Sequence, residues 1–162
     1  MQAPLPRGTP GGPFNVVRVK EKMMSIVNSV ARSMLAAVFI WGGIDTLRDP
    51  TPRVKLAKSL FDKTARFGAP ISDAHQENLV DLNAAVMVSA GALLISGKAP
   101  RLAALALAGS LVPTTLSGHA YWEHDDPRTR SAHKVQLLKN ASTLGGLLLF
   151  ATRAGKSRQR DL

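Results

Sequence analysis

The sequence predicts an all-α membrane protein, a four-transmembrane-helix bundle with an amphipathic helix in its first outer loop. Three observations lead there. Residues 102–122 form a run of 21 positions without a formal charge, and residues 82–97 form a second run of 16. Two further stretches, SMLAAVFIWGGI ending at Ile44 and ASTLGGLLLFAT ending at Thr152, are also free of charge. A helix resting on a soluble core repeats charged or amide side chains on its outer face every three or four residues. LAALALAGSLVPTTLSG instead offers water only hydroxyl groups around its whole circumference. The charge is concentrated outside these runs: 21 Lys and Arg against 11 Asp and Glu give a net +10 in 162 residues.

Taken in order, the chain opens with PLPRGTPGGPFN, which holds four prolines and three glycines, and residues 1–25 are expected to form a disordered basic tail. The first apolar run begins too late for a signal peptide, so it is read as a retained spanning helix. Spans are expected at about 26–44, 79–97, 101–120 and 135–152, together forming a membrane domain over 26–152 that is followed by a basic tail over 153–162. At about 1.5 Å per residue, 18 to 20 residues match a hydrocarbon core of about 30 Å. Arg32 and Lys139 fall within spans, and Arg32 is expected to snorkel toward inner-leaflet phosphates. Between the first two spans, Thr51-Pro52 supplies a cap and a first helical residue. RVKLAKSLFDKTARF then sets Leu56, Leu60, Phe61, Ala65 and Phe67 against a charged face. That amphipathic helix either lies on the bilayer surface or packs over the bundle mouth as a lid.

Four spans place both tails and the GKAPR connection on one side. That side carries ten Lys and Arg against Glu21 and Asp161, a net of +8, whereas the opposite side carries nine against eight acids, a net of +1. Basic clusters beside the helix ends therefore put the termini in the cytoplasm, and much of the positive charge faces anionic lipid. The lipid bilayer is the expected partner. Nucleic acid is not expected, because the basic residues are not interleaved with stacking aromatics and share no helix face. Trp41, Tyr121 and Trp122 close the first and third spans at the same outer interface, as amphipathic rings prefer. With no cysteine, the chain lacks its own means to form disulfides, thiolate nucleophiles or thiolate metal sites. No serine or threonine sits in a hydrolase-like elbow.

The string LVPTTLSGHAYWEHDDP, the later QLLKNASTLGGLLLF and the opening ARSMLAAVFIWGGIDTLRDPTPR together resemble the DoxX family of small four-span bacterial membrane proteins, over roughly residues 30–150. The resemblance is to an actinobacterial type with VPTT-x-x-GH-x-x-WE and LKN-x-x-x-LGGLL segments. The chain departs from that pattern at Ala120, where relatives carry a basic residue, at Gln136, where they carry histidine, and at Asp81, Asn83 and Gly91, where the wider family has a glutamate before paired glycines. The resemblance implies a bacterial plasma-membrane protein in a redox-associated assembly, among them quinone-linked sulfur oxidation and oxidative-stress complexes. The expected role is a non-catalytic subunit or tether with redox protein partners or a second copy of itself. The alternatives are a quinone-interacting oxidoreductase subunit and, less favoured, a small solute or proton transporter.

Alternating the spans brings Asp45, Asp81, Asn83, His119, Lys139 and Asn140 to one depth near the outer ends. Charges inside hydrocarbon are costly and face the bundle, where Asp81 and Lys139 are expected to pair. The six residues form either a polar pocket able to hydrogen-bond a quinone head group, or a set of fasteners between helices. No resident cofactor is expected, quinone being the alternative. No metal is expected either, since His75, His124 and His133 are read as loop residues that leave His119 without a second ligand at its depth. Small residues four apart, such as Ala104/Ala108 and Ala141/Gly145, suit close helix contact.

Overall fold

The computed structural model describes the backbone over residues 13–157 and the side chains over residues 16–152. Among the described residues the chain is wholly helical. Its elements are α1 (Pro13–Arg48), α2 (Thr51–Arg66), α3 (Asp73–Ser96), α4 (Pro100–Gly118), a 3-10 turn (Tyr121–Glu123) and α5 (Pro127–Ser157). α1 packs on α3, α3 on α4 and α4 on α5, while α2 lies across one end against α4 and α3. Ala36 and Phe39 of α1, Ala90 and Leu94 of α3, Ala104 and Leu107 of α4, and Leu147 of α5 meet in one core.

The opposite faces of the same helices are also apolar. Val38, Trp41, Leu82, Leu102 and Leu149 are all more than half exposed, with Leu102 at 70%. Leaving such surface in water costs about 25 cal/mol per Å², so the bundle calls for a hydrocarbon surround. Among the described residues three helical stretches, Val16–Arg48, Asp73–Ser96 and Pro100–Glu123, are long and apolar enough to cross a membrane. α5 has the length, but Arg128, Arg130 and Lys134 precede its apolar run and Lys139 stands near the start of it.

The helix ends differ from the sequence expectation in two places. α1 is 36 residues long, about 54 Å at helical rise, so residues 13–25, expected to be disordered, are helical. The last breaker of the opening is Pro13, which suits a first helical turn, and NVVRVKEKMMSIVNSV after it contains neither Gly nor Pro. The part of the tail before Pro13, and residues 158–162 of the second tail, lie outside the described residues. α5 starts eight residues before its expected span because Asp126 caps it: the carboxylate accepts from the Thr129 hydroxyl at 2.7 Å and the Thr129 N–H at 2.8 Å. Those two donors hold the Asp126 carboxyl below the usual carboxylate range.

α2 presents Ala57 and Phe61 to the bundle, both buried, while Leu56 and Phe67 remain exposed. Lys63 of α2 pairs with Glu123 of the 3-10 turn. α2 thus packs on α3 and α4 through one face.

Close approach of α1 and α3 depends on glycine. A Cβ on Gly43 would stand 2.8 Å from the Ala84 carbonyl oxygen and 2.8 Å from Val88, and one on Gly91 would stand 2.5 Å from Ile40. At Gly145 of α5 nothing lies within 4 Å. Gly43→Ala is therefore expected to cost about 1–3 kcal/mol by overpacking against backbone, whereas Gly145→Ala gains about 0.5–1 kcal/mol from helix propensity. Thermal unfolding of the detergent-solubilised variants checks both, and equal behaviour of the two would contradict the packing.

A polar belt at the α2 end of the bundle

The segment Pro113-Thr114-Thr115 lies in the second half of α4 and organises the polar side chains around it. Proline inside a helix has no N–H to donate to the carbonyl four residues back. The two hydroxyls that follow add bonds along the same turn, Thr114 donating to the Ser110 carbonyl at 2.8 Å and Thr115 to the Leu111 carbonyl at 2.7 Å. With its proton committed in this way, each Thr oxygen keeps lone pairs free to accept. Consecutive helical residues are about 100° apart, so the two oxygens face two different neighbours. Asn83 of α3 donates its Nδ2–H to Thr114 Oγ1 at 3.2 Å, and Asn140 of α5 donates to Thr115 Oγ1 at 3.0 Å. Asn83 Nδ2 also contacts Met87 Sδ at 3.6 Å. Thus α4 is fastened on both sides at one level.

This geometry fixes where the expected pair falls. With Asn140 turned to α4, Lys139 one residue earlier is rotated about 100° away and is exposed. With Asn83 turned to α4, Asp81 is rotated about 200° away and is half-buried. The expected Asp81–Lys139 pair is not made: among the described residues the ion pairs are Arg53–Asp45 and Lys63–Glu123. Rotation about the helix axis decides contact, and α4 stands between the two helices.

Asp45 accepts from Arg53 at 3.2 Å, tying the end of α1 to the start of α2. Both side chains are well exposed, so the pair contributes little. Trp41 projects from α1, 77% exposed, and Tyr121 and Trp122 stack edge to face with centroids 5.1 Å apart. Arg32 lies against the end of α3. Its guanidinium packs against Gly97, where a Cβ would come within 2.6 Å of Nη1, and its Nε is buried without a protein partner. Gly97 has φ +69° and closes α3, so the cation sits at a helix C-terminus, where unpaired carbonyls carry partial negative charge.

His119 follows α4 directly, its backbone N–H donating to the Thr115 carbonyl at 3.0 Å. Its ring lies 5.6 Å from that of His133, which in turn stacks on His124 at 4.2 Å. His133 was read as a loop residue, but α5 already includes it. The signal for it was present in the sequence: Asp126-Pro127 with Thr129 is a helix start, and it puts His133 in the second turn. Thr114 and Thr115 were legible only as part of a family string, because a hydroxyl can be satisfied within its own helix and need not announce a partner.

A bundle of apolar-surfaced helices whose internal polar groups bond one another defines a multi-pass helical membrane protein. The DoxX family model matches residues 27–120, well over half of the chain, and the chain belongs to the DoxX family. The match runs from α1 through α4, includes the Thr114-Thr115 segment and His119, and ends before α5. No curated protein matches the chain, and no solved structure does.

Replacing Asn140 by Ala and Thr115 by Val, singly and together, should give a coupling energy of about 0.6 kcal/mol and at most about 1.7 kcal/mol, as found for hydrogen bonds between membrane helices. Asp81→Ala and Lys139→Ala should combine additively. Unfolding midpoints in detergent measure both cycles, and coupling in the second with none in the first would overturn the assignment.

Proposed function

We propose that this DoxX-family chain is a non-catalytic membrane subunit that assembles or tethers redox partners in a bacterial plasma membrane. In this reading it crosses the bilayer four times, with α5 as the fourth span and both termini cytoplasmic. The observation that carries the proposal is that Asn83 and Asn140 are spent on fastening helices through Thr114 and Thr115. Side chains that hold helices together at a buried level make a rigid body, and a rigid body serves assembly better than turnover. The long α1 adds support, since its first turns carry Arg18, Lys20 and Lys22 clear of the bundle, in reach of anionic lipid or an acidic partner. Redox association follows from the family resemblance and from no side chain of the chain itself.

A second reading, a quinone-interacting oxidoreductase subunit, is favoured by one observation: His119 and His133 each keep a buried Nδ1 without a hydrogen-bond partner. A quinone carbonyl needs donors, and an imidazole N–H is one.

Affinity isolation of the tagged chain from its native membrane, with pigment and quinone extraction of the product, separates the two. Stable co-isolation of a redox protein with no stoichiometric quinone, flavin or haem on this chain is the expected result. One bound quinone per chain would move the assignment to the second reading. Single cysteines at positions 125 and 157 should react with an impermeant reagent from opposite sides of the membrane, and labelling from the same side would contradict the fourth span.

A further inference from the structure

The end of α4 and the second turn of α5 bring together three imidazoles from separate stretches of chain. His119 and His133 have ring centroids 5.6 Å apart and planes inclined at 50°. In a tetrahedral site with metal–nitrogen bonds of about 2.0–2.1 Å, two imidazoles on one ion place their centroids about 5 Å apart. His119 and His133 are therefore spaced for one ion. The Nδ1 atoms of the same two residues, and not of His124, are buried without a hydrogen-bond partner. Leaving such an atom unpaired costs about 1–3 kcal/mol. An imidazole with its proton on Nε2 presents a lone pair at Nδ1, so one cation between the rings would satisfy both orphaned atoms.

His124 has a different part. Its ring lies nearly parallel to that of His133, at 20° and 4.2 Å. Stacked rings point their in-plane lone pairs alongside each other and not at a common centre, so His124 holds the His133 ring in place. Among the described residues no three His, Cys, Asp or Glu side chains converge on one point, which leaves the remaining coordination positions to water. Arg53 is paired with Asp45, and Glu123, Asp125 and Asp126 flank His124 in the connecting loop. His75 stands apart on α3, hydrogen-bonded to Ser72 at 2.6 Å.

We propose that His119 and His133 form a two-histidine site for a divalent transition-metal ion, zinc or copper(II), that clamps the end of α4 to the start of α5. Imidazole suits both ions, and the oxygen-preferring magnesium and calcium are excluded by the donor set. The site is independent of whether the chain tethers redox partners.

The test uses the untagged full chain in lipid nanodiscs, stripped with chelator and then titrated with zinc or copper(II) chloride. Expected are one ion per chain retained after desalting, a copper(II) electron paramagnetic resonance spectrum with two nitrogen ligands, and a rise in melting temperature with zinc. Second-shell changes alone weaken metal sites by about 10–100-fold, so His119→Gln and His133→Gln should each weaken binding by at least about tenfold. His75→Gln should bind as the parent does, and so should His124→Phe, which keeps a stacking ring without a ligand atom. The spectrum of the unmodified chain does not depend on how the variants fold. Failure to retain an ion, a spectrum without two nitrogens, full binding by His119→Gln, or loss of binding in His124→Phe would each overturn the proposal.

Discussion

In hydrocarbon a polar group has no water to fall back on, so each must find its partner inside the protein. In this bundle that constraint is met chiefly by three consecutive residues of α4. Pro113 interrupts the backbone ladder, and the hydroxyls of Thr114 and Thr115 bond back to the preceding turn and then accept Asn83 and Asn140 from the two flanking helices. Each bond on its own is worth little, about 0.6 kcal/mol on average between membrane helices. Their effect is positional: they set the rotation of α3 and α5 about α4 at one level, and every other side chain on those helices takes its direction from that.

The remaining contacts follow. α3, fixed against α4, offers Ala84 and Val88 to α1, which can come close only because Gly43 has no side chain. The same rotations turn Lys139 out of the bundle and leave Asp81 half-buried, with no ion pair among the described residues. They also carry α5 into position for His133 to meet His119. At the same end α2 closes over α4 and α3 through Ala57 and Phe61, with Lys63 reaching Glu123. Packing and polar bonds thus serve one arrangement, a bundle with a capped end and a bare apolar flank suited to lipid.

Three apolar spans among the described residues were legible in the sequence, because an absence of charge over a helix length needs no knowledge of neighbours. Helix ends were less so. Residues 16–25 are polar, but without Gly or Pro they extend a helix readily, and α5 starts at Pro127, ahead of the span expected from residue 135. Asn83, Asn140 and His119 could be placed at one depth by counting residues from span boundaries. Which of them touch could not, because contact depends on rotation, and rotation is set by packing that the sequence of one helix does not contain. Asp81 and Lys139 illustrate the failure, while Asn83 and Asn140 reach the correct helix through partners that carried no charge to mark them.

Side-chain amide exchange measures the central constraint most directly. By NMR of the chain in detergent micelles, the Nδ2 protons of Asn83 and Asn140 can be compared with those of Asn28, which is exposed on α1. If the threonine pair fastens the bundle, both asparagines exchange more slowly than Asn28. Thr114→Val then releases Asn83 alone, and Thr115→Val releases Asn140 alone. Exchange at the rate of Asn28, or protection that survives both substitutions, would contradict the account.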